Sequence, residues 1–144
     1  MLIGEYKHLI DAKKRLSVPS KFRKELGDKA VLSRGLDGCL FLFPVANWEE
    51  FIHKLGELKL GQQESRNFTR HFLTGAVEVD IDTLGRILVP DYLKKSADLK
   101  KTAIITGVLN RIEIWDEQRW ETMKTGIEKN SDSIAQKLGD LGII

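Results

Sequence analysis

Asp82-Thr83-Leu84-Gly85-Arg86-Ile87-Leu88-Val89-Pro90 sets the local topology of this chain, and a strand-like run from Val77 to Ile81 leads into it. Asp82 can bond its own backbone and start a turn, and Gly85 takes positive φ at no steric cost. Arg86 opens a short apolar strand. Pro90 suits the first helical position, because its missing N–H would have had no helical partner. The order is therefore strand, tight loop, strand, helix, with a long cation beside the glycine.

The pattern occurs twice. In Asp11-Ala12-Lys13-Lys14-Arg15-Leu16-Ser17-Val18-Pro19, the residues Asp11, Arg15, Val18 and Pro19 match Asp82, Arg86, Val89 and Pro90 at an offset of 71, and Ile10 matches Ile81. After one inserted residue, an offset of 72 aligns Lys29, Gly35, Trp48 and Glu49 with Lys101, Gly107, Trp120 and Glu121. The period exceeds that of a solenoid unit, and there are only two copies, so the chain reads as a duplicated small domain. Each copy alone would have a marginal core, which predicts that the halves pack together as an internal pseudo-dimer.

The 42% apolar and 31% charged content is that of a soluble globular protein. No apolar run approaches membrane-spanning length, and no secretory segment starts the chain. The lone Cys39 excludes an internal disulfide and fits a reducing cytosol. The net charge of +2 is unevenly placed: residues 1–34 hold nine Lys/Arg against four Asp/Glu, a net +5, which leaves −3 for the remainder. That basic excess around the first loop is either a footprint for a polyanion or a solvated surface.

Further strands are expected at Tyr6–Ile10, Leu16–Val18, Lys29–Ser33 and Cys39–Phe43. A helix from Pro19 ends at Gly27, and hairpin chemistry joins the later strand pair over Arg34–Gly38. Asn47 with Glu50 reads as a capping box for a helix whose Trp48, Phe51, Ile52 and Leu55 form one apolar face. A second helix follows from Gln62 to Leu73, with Phe68 and Phe72 on one side and Arg66 and Arg70 on another. Thr102–Thr106 and Arg111–Trp115 form the second hairpin. Asp116 then caps a helix with Trp120, Met123 and Ile127 inside, and a weak helical period continues from Asn130. The expected divisions are 1–60 and 76–130 for the two repeats, 61–75 for a helical insert and 131–144 for a helical tail.

No enzyme signature accompanies this pattern. There is no G-x-S-x-G elbow and no phosphate loop, and His8, His53 and His71 lack metal-ligand spacing. Cys39 alternates with Phe41 and Phe43, which places it in a buried strand face rather than in a nucleophile's setting. No cofactor, metal or small-molecule substrate is expected. The doubled Asp-x-x-x-Arg loop points to binding instead. Two copies about a pseudo-two-fold bring two arginines to one surface, and the guanidinium fork suits phosphate and guanine O6/N7. Lys13 and Lys14 add charge beside Arg15. Each Arg could instead pair with its own Asp and only stiffen the turn.

These two motifs, each followed by an apolar strand and Pro, together with their spacing and the Trp-containing helices, resemble the MraZ family over essentially the whole chain. The resemblance implies a mainly β fold with α (α+β character): a duplicated AbrB/MazE/MraZ-like double-split, swapped-hairpin β-barrel with flanking helices. It implies ring-shaped homo-oligomers and sequence-specific binding of double-stranded DNA at repeated promoter boxes. It further implies transcriptional control of the division and cell-wall gene cluster from a cytoplasmic, nucleoid-associated location. Arg15 and Arg86 carry over as DNA ligands with Lys13 and Lys14 beside them, and Asp11, Asp82 and Gly85 as loop supports. Lys14 departs from the family's usual Gly, so that loop either avoids positive φ or carries strain. The competing reading is a protein-interaction module, such as an antitoxin-like partner, on the same barrel.

Overall fold

In the computed structural model, which describes residues 1–144, the chain forms eight strands and five helices. They run β1 (Leu2–Leu9), β2 (Arg15–Ser17), α1 (Ser20–Leu26), β3 (Lys29–Arg34), β4 (Leu40–Pro44), α2 (Val45–Gly56), α3 (Gln63–Leu73), β5 (Val77–Asp80), β6 (Arg86–Leu88), α4 (Asp91–Ser96), β7 (Thr102–Leu109), β8 (Ile112–Asp116) and α5 (Glu117–Asp140).

The two copies are interleaved rather than side by side. Six strands form one antiparallel sheet in the order β1-β7-β8-β4-β3-β5, and β2 pairs with β6 in a separate ribbon. Exchanging each strand for its repeat counterpart returns the same order, so a pseudo-two-fold passes between β4 and β8 and through the ribbon. β1 of the first copy lies on β7 of the second, and β5 of the second lies on β3 of the first. Neither half can close its own sheet, which is the duplicated double-split barrel with flanking helices that the family resemblance implies.

Alternation along the strands supplies two cores. Leu40, Leu42, Ile112, Ile114, Ala103 and Ile105 face inward with Leu16, Ile87, Phe22 and Leu93 in a cluster of 20 buried residues. The opposite face of the same strands presents Cys39, Phe41, Phe43, Ile104 and Trp115. These meet α2 and α3 through Leu55 and Phe72, with Trp48, Phe51, Trp120 and Met123 partly buried against them. Phe51 and Phe72 meet edge to face at 4.9 Å. Of the expected apolar face of α2, Leu55 is buried and Trp48 and Phe51 pack partly buried against the cluster, while Ile52 stays outside it; burial pushes the Cys39 thiol well above its ordinary range. Asp116 caps α5 as expected, accepting from Gln118 N and Arg119 N.

Several local expectations are corrected. Pro44, in extended conformation (φ −56°, ψ 145°), is the N-cap of α2, so Asn47 lies inside the helix and makes no cap. Pro19 and Pro90 likewise sit at the N-cap, one residue outside the helices they start. The repeat offset also changes twice. His8 and Val79 are 71 apart and pair with Ala103 and Ala30, so Ala30 and Ala103, 73 apart, are counterparts. The pairings Leu40 with Ile114 and Leu42 with Ile112 restore 72 in β4 and β8. The second copy thus gains two residues before β7 and loses one in the following hairpin. The matches of Lys29 with Lys101 and of Gly35 with Gly107 are each one position out of register. The helical tail expected from residue 131 continues the preceding helix, since α5 runs to Asp140.

Candidate nucleic-acid interface

The β2–β6 ribbon has one buried face and one outward face. Leu16 pairs with Ile87, and both are 1% exposed. Burial of two such side chains stabilises the ribbon by about 1.5–3 kcal/mol each. Arg15 lies opposite Leu88 and Ser17 opposite Arg86. Opposed and alternate residues share a face, so Arg15, Ser17, Arg86 and Leu88 all lie on the outward side. Arg15 and Arg86 are diagonal neighbours, with Cα atoms about 7–8 Å apart by ladder geometry. The structure therefore brings together the two arginines that lie far apart in the chain.

Each loop follows one backbone plan, a type I turn closed by a left-handed residue. Lys14 N–H donates to Asp11 O at 3.0 Å, and Gly85 N–H to Asp82 O at 2.9 Å. Asp11 Oδ1 accepts from Lys13 N at 2.8 Å and Arg15 N at 2.9 Å. Asp82 Oδ1 accepts from Leu84 N at 2.9 Å and Arg86 N at 2.8 Å. These backbone donors, led by the N–H of Arg15 and of Arg86, hold both carboxyls below their ordinary range. The loops are stitched across the dyad: Val18 N–H donates to Gly85 O at 2.8 Å, and Val89 N–H to Lys14 O at 2.9 Å.

Those cross-links explain the departure at Lys14. Its φ is 65°, beside 78° at Gly85. The loop keeps the left-handed conformation, so the carbonyl still reaches Val89, and Lys14 carries the strain. Its side chain compensates in part, since Lys14 Nζ lies 2.7 Å from Asp91 Oδ2 at the start of α4. A Cβ at residue 85 would lie 2.0 Å from the Arg23 guanidinium carbon, so a side chain there would displace Arg23 from its place over the loop.

The arginines differ in their ties. Arg86 Nε donates to Asp82 Oδ2 at 3.0 Å, while the Arg15 side chain has no counterpart bond to Asp11. Lys13 is exposed at the loop tip. Arg23 and Asp91 belong to this face and were not singled out from the sequence. Arg23 donates from Nε to Val18 O at 2.9 Å and covers the opposite loop. The available signal was the repeat itself, since 71 residues separate Arg23 from Lys94 and preserve a cation.

A groove of about 870 Å³ lies elsewhere, along α5. Among its polar groups, Asp116 caps α5 and Lys100 pairs with Asp98 and Asp116. No group of His, Cys, Asp and Glu is placed to hold a metal ion. No helix is long and apolar enough to cross a membrane.

A doubled swapped-hairpin barrel that presents paired, aspartate-braced basic loops from one ribbon defines a class of small β-barrel binding proteins. The family model described as "MraZ protein, putative antitoxin-like" matches residues 1–71 and again 72–140. The chain is 46% identical over 143 residues to the transcriptional regulator MraZ of Caldicellulosiruptor saccharolyticus, covering 99% of this chain and 100% of that one. The same coverage holds for the transcriptional regulators MraZ of Thermoanaerobacter sp. at 46% and Alkaliphilus metalliredigens at 45%. The chain belongs to the MraZ family, a family of transcriptional regulators rather than enzymes.

Proposed function

We propose that this chain is a sequence-specific, DNA-binding transcriptional regulator. The observation that carries the reading is the outward face of the β2–β6 ribbon. Arg15 and Arg86 stand there as diagonal neighbours on loops rigid enough to define a direction. Rigid guanidinium forks beside Lys13 and Lys14 offer both base-edge and phosphate contacts. The names of the relatives support the same reading.

The targets proposed are repeated boxes in the promoter of the division and cell-wall gene cluster. One loop pair is a small footprint for a specific site, so several pairs on a ring-shaped homo-oligomer would gain by effective concentration. The proposed location is the cytoplasm, at the nucleoid. The test is titration of a labelled promoter fragment across a salt series. Binding should weaken with a log–log slope of about 0.9 per phosphate contact. Affinity for the fragment no better than for unrelated duplex would contradict sequence-specific regulation. The antitoxin-like alternative predicts instead a stable protein complex formed without DNA.

A further inference from the structure

The two loops share a backbone and differ in what they display. At an offset of 71, Leu84 stands where the first loop has Lys13, and Leu88 stands where the first ribbon strand has Ser17. Leu84 is 63% exposed and Leu88 53% exposed. Leu88 is on the outward ribbon face, directly opposite Arg15. Leu84 is fixed through its N–H by Asp82, with Arg86 held by the same carboxylate and Arg23 laid over Gly85. The second half of the face therefore shows two leucines among fixed cations, where the first half shows a lysine and a serine.

We propose that Leu84 is a specificity contact to a thymine methyl group, so that the pseudo-symmetric loop pair reads an asymmetric DNA site. The inference rests on the reading of this face as a DNA interface. Charge complementarity selects duplex DNA as the occupant, since the leucines are flanked by Arg15, Arg86 and Arg23. In the major groove, the C5-methyl of thymine is the apolar group that an exposed leucine can cover. Lys13, at the mirrored position, is suited to a phosphate as a mobile point charge. One loop thus favours a thymine edge that its twin does not select, and the two ends of the site are read differently.

The test begins with selection of a tight-binding duplex from a random-sequence pool, using the full-length protein. Each thymine of that duplex is then replaced in turn by deoxyuridine, which removes only the methyl. For the unmodified protein, one position should weaken binding about fourfold, the loss expected for one buried methyl-sized group. Leu84→Ser should bind the original duplex at that reduced level and be insensitive to uridine at the same position. Leu84→Lys, which copies the first loop, should lose the same sensitivity and steepen the salt dependence by about 0.9 in log–log slope. Persistent methyl sensitivity in Leu84→Ser, or none in the unmodified protein, overturns the Leu84 assignment while a selected duplex leaves the DNA reading standing. Failure of the selection to yield any preferred duplex overturns both. A fall in assembly size for Leu84→Ser by light scattering would make Leu84 a subunit contact and overturn the proposal.

Discussion

Arg86 donates through Nε to Asp82 Oδ2 at 3.0 Å, while the Asp11 carboxylate of the other loop receives only backbone N–H groups and leaves the Arg15 side chain free. The two arginines are equivalent in the repeat and unequal in their ties. Arg15→Ala should leave the melting temperature unchanged, as expected for a surface change within about 0.5 kcal/mol. Arg86→Ala should lower it slightly, because a brace of the second loop is lost. Each should reduce promoter affinity by about 1–3 kcal/mol if a bidentate base contact is removed. Calorimetric melting with binding titration checks both effects.

Lys14→Gly separates fold from function. Glycine relieves the left-handed strain at φ 65°, and stability should rise by about 1 kcal/mol. The same change removes a cation and the contact to Asp91, so DNA affinity should fall. Chemical denaturation and DNA titration of one preparation measure both. A variant less stable than the unmodified chain would show that the Lys14–Asp91 contact outweighs the strain.

Asp11 and Asp82 are held below the ordinary carboxylate value of 3.8, chiefly by backbone N–H donors from Arg15 and Arg86. A depressed folded pKa gives stability that is fully present above the unfolded value and lost as pH falls through the folded one. Loop geometry should therefore be constant across neutral pH. Asp82→Asn should be less stable than the unmodified chain at neutral pH, with the difference closing only below the ordinary range. Carboxyl NMR titration with pH-dependent melting tests the sign. A gap that widened on acidification would contradict it.

The loop plan was legible because its chemistry is local. Asp82, Gly85 and Pro90 each constrain backbone within a few residues, and the doubled pattern made each loop evidence for the other. Packing of the two halves on each other was expected from the repeat and their interleaving from the family resemblance, but the register was not readable. Two residues gained before β7 and one lost after it slide the alignment while leaving the Trp48–Trp120 match intact. Asn47 and Glu50 have capping-box spacing, but Pro44, with its fixed φ, starts the helix earlier. α5 has no fully buried residue, so its apolar periodicity beyond Asn130 is weak and did not show one continuous helix. Arg23 was hidden because its role is to cover a loop from the other copy, a contact with no local sequence signature.

We propose that residues 1–130 are the folding unit and 131–144 a separable tail, since Trp120 and Met123 pack against the core whereas residues 131–144 are exposed apart from half-buried Leu138. Removing 131–144 should leave the melting temperature within a few degrees. A cooperative loss of the fold on truncation, followed by circular dichroism, would contradict that division.

Light scattering at micromolar concentration should give an assembly larger than a dimer. A monomer would contradict the ring proposal, because one loop pair would then have to supply the whole specific site.

The central claim is that the outward ribbon face binds DNA through Arg15 and Arg86. The direct measurement is promoter binding by the double variant Arg15→Ala with Arg86→Ala, with its melting temperature and assembly size recorded alongside. Leu16 and Ile87 hold the ribbon from its buried side, so the account predicts a folded assembly of unchanged size, melting within a few degrees of the unmodified protein, with specific promoter binding abolished. Full promoter affinity in that folded double variant would contradict the account.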